Sequence, residues 1–591
     1  MTSTQNNKTH TSKAEWGSDV IVDVLRDLDI EYIAVNPGAT YRGLHDSLVN
    51  YGNNTAPEMI LCNHEEITVA IAHGYGKAAG KPMAAAVHNI VGLLHASMAM
   101  FNASMDRASV MLLGGTGPMA VDKRRPWIDW IHTALVQGEA VRPFIKWDDQ
   151  PASIPSFVDS LIRAYHITNT RPKGPVYVCF DADLQEQKLD EPFQMPEVAN
   201  FSPPTRVQAD PVALSQAADL LAGAKNPVIV ADFLGTVPGA VEALVRLAES
   251  LAIPVIDGGD LVNFPTHHPL NITSAAGRVL QDADVVLALD VYDLQQTLSV
   301  TNYATRGVTS RISDTSTVID ISLRQFIIKS WADDYGRLYP ANLAITADTA
   351  LAIPALADLC ADKVSGNSAA IEARRSAMKT IHDEMDEEAQ REAAAGSNIS
   401  PIAVPFLAQQ VFEVVKNQDW VIANGDLRGW AQRLWDIEKP YQFMDSRGGG
   451  GLGQGLGHSI GVALAHKGKG RLVIDLQSDG DFLFTPSALW TAAHHKIPLL
   501  IVMYNNRSYF NDEDHQENVA RTRGRSVENK VVGIRMDSPP VDFASLARSL
   551  GVYGEGPIEH PDDLKPALER AMNVVLNEGR CALVDVITQN R

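Results

Sequence analysis

The chain has 591 residues, room for two to four domains at the usual ~150 residues each. With 45% apolar and 20% charged residues it has the make-up of a globular protein, which excludes disordered, collagenous and disulfide-stapled chains. Its 50 Lys and Arg stand against 71 Asp and Glu, a net charge of −21 that repels phosphate backbones and anionic lipid and so argues against nucleic acid and membrane as partners.

In chain order, the polar start MTSTQNNKTHTSKAEW has no apolar signal core, and no run of about 18 apolar residues follows anywhere. Four cysteines, Cys62, Cys179, Cys360 and Cys581, are widely spaced and form no CxxC pair, so a reducing, cytoplasmic setting is expected. Residues 15–190 alternate short apolar runs (Tyr32-Ile33-Ala34-Val35, Ala84-Ala85-Ala86-Val87, Val110-Met111-Leu112-Leu113, Val176-Tyr177-Val178-Cys179) with helical patterns. Residues 207–360 repeat the style with Pro227-Val228-Ile229-Val230, Ile253-Pro254-Val255-Ile256 and Val285-Val286-Leu287-Ala288-Leu289. Residues 366–400, rich in Ala, Glu, Arg and Met, read as a solvated helical connector. Residues 401–591 form a third such block, with strands at 471–476 and 498–503. Strands that alternate with helices predict parallel sheets covered on both faces, hence an α/β chain of three doubly wound parallel-sheet domains.

The sharpest chemical signal lies in the third block. A strand leads into Ser478-Asp479-Gly480-Asp481, a helical stretch follows, and the next strand ends in Asn505-Asn506, with Asn506 27 positions after Asp479. A carboxylate and an amide oxygen at the ends of neighbouring strands suit a hard cation that shares its coordination with a diphosphate, and a glycine lets backbone approach the phosphate. This pattern resembles the GDG…NN motif of the thiamine diphosphate enzymes, in the branch of the 2-oxo acid decarboxylases and acetolactate synthase. The segments Ser487–Ala493, Ile497-Pro498 with Asn505-Asn506, and Gly450–Gly453 look especially like benzoylformate decarboxylase. The resemblance covers essentially the whole chain in the family's order of pyrimidine-binding, middle and diphosphate-binding domains.

The resemblance implies thiamine diphosphate and Mg²⁺ as cofactors, with Asp479, Asn506 and Ser508 on the metal and Gly450, Leu452, Gly480, Asp481, Asn506 and Ser508 around the cofactor. Leu452 would wedge between the two cofactor rings, and the Gly450 carbonyl would accept from the exocyclic amine. Ser478 stands where the motif has its first glycine. Asp481 stands where the family has a small residue, and its carboxylate must turn away from phosphate or join the metal's outer shell. In the first block Glu65 precedes Tyr75 of Gly74-Tyr75-Gly76 by ten residues, the family's spacing for the activating acid; Glu66 is the rival carboxylate. A carboxyl group in a dry pocket has a raised pKa and can share a proton with the aminopyrimidine, favouring the imino tautomer that removes the C2 proton. The alternative role for Glu65 is helix capping. His88, 23 residues after Glu65, matches a substrate-facing His of benzoylformate decarboxylase and suits proton transfer near neutral pH. The turn Asn36–Thr40 resembles that enzyme's NPGS turn, with Ala39 in place of Ser, so any hydroxyl must come from Thr40.

Two segments are expected to set substrate choice. One runs from Lys123 to His132 and on to Gln137 and Lys146-Trp147-Asp148, and is equally readable as an interface segment. The other, residues 507–540, is a charged lid or connector in which Asp512 aligns with an active-site acid of pyruvate decarboxylase. The expected activity is C–C cleavage or formation on a small-molecule 2-oxo acid or 2-hydroxy ketone, decarboxylation first, with acetolactate-synthase-like carboligation or C–C hydrolysis as alternatives. A non-catalytic relative and a flavin oxidase are the competing readings; Glu65, Asp479 and Asn506 oppose the first, and the lack of GxGxxG in the middle block opposes the second. In the family the pyrimidine and diphosphate ends are held by different subunits, which implies a homodimer or homotetramer.

Overall fold

The structure, a computed structural model, describes residues 9–590 apart from 260, 303–304, 328–335, 364–367 and 447. Three wholly parallel main sheets account for the apolar runs. In the first, the order is Glu58–Leu61, Tyr32–Val35, Met83–Val87, Val110–Thr116, Val176–Asp181, Trp147–Asp149. The middle sheet runs Val255–Asp257, Pro227–Ala231, Val285–Leu289, Thr317–Ser322, Leu343–Thr346. The third runs Trp420–Asn424, Leu472–Ser478, Leu500–Asn505, Ala582–Ile587, Tyr553–Ile558. Central strands such as Met83–Val87 and Val285–Leu289 are buried at every residue, because helices cover both faces. The expected connector is the helix Ser368–Ala395.

The first and third domains pack directly through the helices Glu65–Ala79 and Gly455–His466. Their backbones touch where side chains are missing. A Cβ on Gly461 would lie 2.0 Å from the Ile71 carbonyl, and one on Gly74 would lie 2.0 Å from that of His458. Adding a methyl at such a crossing forces the helices apart and costs on the order of 1–3 kcal/mol. At the end of the pair, His495 Nε2 accepts from the Leu61 N–H (2.8 Å) and Thr491 donates to the Leu61 carbonyl (3.1 Å). The four cysteines are buried and unbridged, and among the described residues no helix is long and apolar enough to cross a membrane.

Residues 507–540 are not a structureless loop. They hold the helix Phe510–Thr522, and buried Glu513 anchors them by accepting from Ser508 Oγ (2.6 Å) and Arg535 Nε (3.0 Å). The sequence missed this because the charged residues show no apolar stripe; the anchor is a polar contact.

Candidate active site

The third-domain half stands at the carboxyl ends of the strands Leu472–Ser478 and Leu500–Asn505, which are paired in register. Asp479 opens a short helix and is 2% exposed. Burial pushes its carboxyl up to about 6, helped by nearby Asp585 and opposed by the Gly480 and Arg507 N–H groups. Its Oδ2 is buried without a hydrogen-bond partner among the described residues, as is Oδ2 of Asp585. A buried carboxylate oxygen left unpaired costs free energy that a cation would recover, so this donor set fits Mg²⁺. Asn506 Oδ1 accepts from the Ser508 N–H (2.9 Å) and keeps a second lone pair. The Ser508 hydroxyl donates to Glu513, so Ser508 offers a metal its carbonyl oxygen and the lone pairs of its hydroxyl.

Both carboxylate oxygens of Asp481 are taken by neighbouring donors. Its Oδ1 accepts from the Gly453 N–H (2.7 Å) and its Oδ2 from Gln477 Nε2 (2.8 Å). The carboxylate expected at the cofactor instead fixes the glycine-rich turn. Gly480 is bare for a neighbouring reason: a Cβ there would meet the Tyr509 ring at 2.7 Å. Gly450 has φ +71° with open space beside it, so its backbone conformation requires glycine. Leu452 projects outward, 41% exposed.

The first-domain half begins at the N-terminus of the helix Glu65–Ala79. His64, not Glu65, is the cap: its Nδ1 accepts from the Glu66 N–H (3.1 Å). Glu65 is 7% exposed, with Oε2 3.2 Å from His95 Nδ1, and a Cβ on Gly92 would come within 3.1 Å of its Oε1 and 3.0 Å of the His88 Cβ. Glu65 and His88 therefore line one recess that exists because Gly92 has no side chain. Thr40 supplies the hydroxyl, 3.0 Å from His88 Nδ1. Burial lowers the His88 pKa, and His132, whose ring meets it edge-on at 5.5 Å, lowers it further.

Glu66 behaves differently from its neighbour. It turns toward the third domain, 3.4 Å from where a Gly453 Cβ would stand, and burial followed by repulsion from Asp481 pushes it up to about 7. One residue passed over in the sequence joins the halves: Asn102, fully buried, accepts from the Gly449 N–H (2.8 Å) and donates to the Gly451 carbonyl (3.2 Å). A lone Asn on an apolar helix was the available signal.

The remaining singled-out residues lie away from these two halves or on the surface of the chain. Asp512 is exposed on the first turn of its helix, because the helical phase that sends Glu513 inward sends Asp512 to solvent. Gln137 is fully buried, bonding Gly115, Tyr177 and Cys179, and is a core residue rather than a substrate contact. Lys146-Trp147-Asp148 belong to the sheet edge, where Lys146 donates to the Ile167 and Thr170 carbonyls and Asp148 pairs with Arg142 (2.7 Å). Trp127 and Trp130 are exposed. In the middle domain, the crevice where the strand order reverses holds only about 40 Å³. Arg107 of the first domain stands at its wall, stacked 4.1 Å above Phe233 and 3.5 Å from Asp290.

Three parallel α/β domains with a buried carboxylate beside a half-buried amide in the third and an acid recess in the first define a thiamine-diphosphate-binding enzyme. Three family models match: the N-terminal TPP binding domain of thiamine pyrophosphate enzymes over residues 15–136, their central domain over 214–356, and their C-terminal TPP binding domain over 423–586. The chain belongs to the thiamine pyrophosphate enzymes. Among its relatives, the acetolactate synthase large subunit of Haemophilus influenzae is 23% identical over 586 residues, 96% of this chain and 94% of that one. The acetolactate synthase of Bacillus subtilis is 22% identical over 571 residues, 94% of this chain and 91% of that one. Two solved structures share the fold. They are benzoylformate decarboxylase from Polynucleobacter necessarius (TM-score 0.75, 19% identity, covering 98% of this chain and 99% of that one) and the thiamine diphosphate-dependent 4-hydroxybenzoylformate decarboxylase of Rhodococcus jostii (TM-score 0.73, 19% identity, 97% and 99%).

Proposed function

We propose that the chain is a thiamine diphosphate- and Mg²⁺-dependent lyase that decarboxylates a 2-oxo acid to an aldehyde. The observation that carries this reading is the recess in which buried Glu65 and the Thr40-tied His88 face each other across Gly92. When bound, thiamine diphosphate supplies the nucleophile and electron sink for breaking the bond beside the carbonyl. Asp479, Asn506 and the Ser508 carbonyl would hold Mg²⁺ against the diphosphate, and Leu452 would face the rings from the glycine-rich turn. Glu65 offers its nearly buried carboxyl group as the proton-exchanging acid of the recess. With Nδ1 engaged by Thr40, His88 has Nε2 left to carry a proton to or from the substrate.

A second reading, carboligation of two 2-oxo acids, rests on the full-length likeness to acetolactate synthases. Incubating cofactor-loaded protein with aliphatic and aromatic 2-oxo acids and analysing products by mass spectrometry tests both. Aldehyde release supports the lyase, and a hydroxy-keto acid supports the carboligase. Equal product from wild type and Glu65→Gln, or none from any 2-oxo acid, refutes the assignment.

The chain is further proposed to work as a cytoplasmic homodimer or homotetramer. Leu94, Leu452 and Phe484 are 58, 41 and 56% exposed beside the glycine-rich turn and the Glu65 recess, an apolar rim that a partner subunit would cover.

A further inference from the structure

Two side chains on the wall of a second cavity, between the middle and third domains, meet a third side chain from a neighbouring segment. The cavity measures about 360 Å³, and Asp257, Thr266, Asn271, His382, Asp386 and Gln432 contribute to its lining. His382 and Asp386 sit one turn apart on the helix Ser368–Ala395 and face the same way. His267 comes from the segment after the strand Val255–Asp257. Asp386 Oδ2 is 3.4 Å from His267 Nδ1 and 3.4 Å from His382 Nε2, and the three ligand atoms all lie within 4.8 Å of one another.

We propose that His267, His382 and Asp386 bind a divalent transition-metal cation, zinc foremost, at a site separate from the Mg²⁺ and diphosphate groups. The imidazole of His382, which is 4% exposed, points Nδ1 at the Asn271 carbonyl oxygen (2.9 Å). It must donate there, which leaves Nε2 as the nitrogen that faces Asp386, and a backbone carbonyl on the other nitrogen is the arrangement that orients metal-bound histidines. The separations point the same way. A direct N–H···O bond closes to about 2.9 Å, whereas tetrahedral coordination with bonds of about 2.1 Å spaces neighbouring ligand atoms about 3.4 Å apart. Both measured separations have that length. Three protein ligands leave a fourth position for water or a small anion entering from the cavity. The Gln432 Oε1 on the cavity wall is buried without a hydrogen-bond partner among the described residues, and Arg433 is drawn away onto Trp430 (3.9 Å) and Glu392 (3.7 Å).

Two other histidine–carboxylate groups lack these features. The buried set His73, Asp106 and His458 includes the Lys77 ammonium 2.7 Å from Asp106, which would repel a cation. Beside Glu65, the His64 and His95 rings stack at 16°, and His64 Nδ1 is already a helix cap.

A cation here would clamp the long helix to the middle domain and stabilise the fold by mass action. The test strips the full chain of transition metals, restores thiamine diphosphate and Mg²⁺ in excess, and titrates Zn²⁺ by calorimetry and Co²⁺ by visible absorption near neutral pH. The expected result is one equivalent of Zn²⁺, a tetrahedral Co²⁺ band and a higher melting temperature. His382→Asn and Asp386→Asn should weaken binding by ~10-fold or more, and His95→Asn should leave it unchanged. His267→Asn, on a half-exposed segment, provides the same test if His382→Asn fails to fold. Saturation below half an equivalent, or unchanged affinity in His267→Asn and Asp386→Asn, overturns the proposal and leaves the cluster a pair of hydrogen-bonded ion pairs only.

Discussion

Glu66→Gln should stabilise the protein, by an amount that grows as pH rises from about 4.5 to 7 and is constant above. The Glu66 carboxyl is pushed from the ordinary 4.5 up to about 7, first by burial and then by Asp481, and its Oε1 has no hydrogen-bond partner among the described residues. A group held higher in the folded than in the unfolded state weakens folding as pH rises from the lower value to the higher, and the full penalty is present above both. The shift of ~2.5 units at 1.36 kcal/mol each sets a ceiling of about 3.4 kcal/mol. Glu66 is partly exposed, and solvent screening brings the expected figure to about 1.5 kcal/mol. Glutamine keeps the shape, removes the repulsion and offers an N–H toward Asp481. Denaturant midpoints of wild type and variant, measured across pH 4.5 to 8.5 (about two and a half units below to one and a half above the raised value), should nearly coincide at the acid end, diverge in the variant's favour up to about 7 and keep a constant gap above. A pH-independent difference, or a less stable variant at the alkaline end, would refute the reasoning.

Asp479→Ala should abolish thiamine diphosphate retention by calorimetry while circular dichroism stays native, and wild-type affinity should fall as pH drops below about 6, where the Asp479 carboxyl protonates. Glu65→Gln should keep cofactor binding but slow C2 deuterium exchange ~10²–10⁴-fold by NMR; an unchanged rate would transfer the role to Glu66. Mixing inactive Glu65→Gln with inactive Asp479→Ala under subunit exchange should partly restore activity if a partner completes the site, since one site of each mixed dimer is then undamaged. No recovery despite proven exchange would mean that each chain builds its own site.

Periodicity revealed the sheets because their strands are buried on both faces and read as unbroken apolar runs. Asp479, Asn506, Glu65 and His88 were legible from fixed offsets, and Thr40 from a turn whose serine is missing. What spacing could not show is the direction of a side chain. Asp481 and Ser508 stand at motif positions, but their side chains are claimed by Gly453 with Gln477 and by Glu513. Asp512 and Glu513 differ by one step in sequence and by about 100° around a helix, which separates solvent from core. Asn102 and His95 reach their partners across 30 or more residues of chain, beyond any local pattern.

The Arg107–Phe233–Asp290 contact crosses a domain boundary. An open α/β sheet offers one ready berth for a nucleotide, and in this chain an arginine from the neighbouring domain stands there. The contact therefore couples the first domain to the middle one through a stacked guanidinium and an ion pair, so a change in either domain is felt by the other. The arginine that stands in the berth is thus also a rivet between two domains.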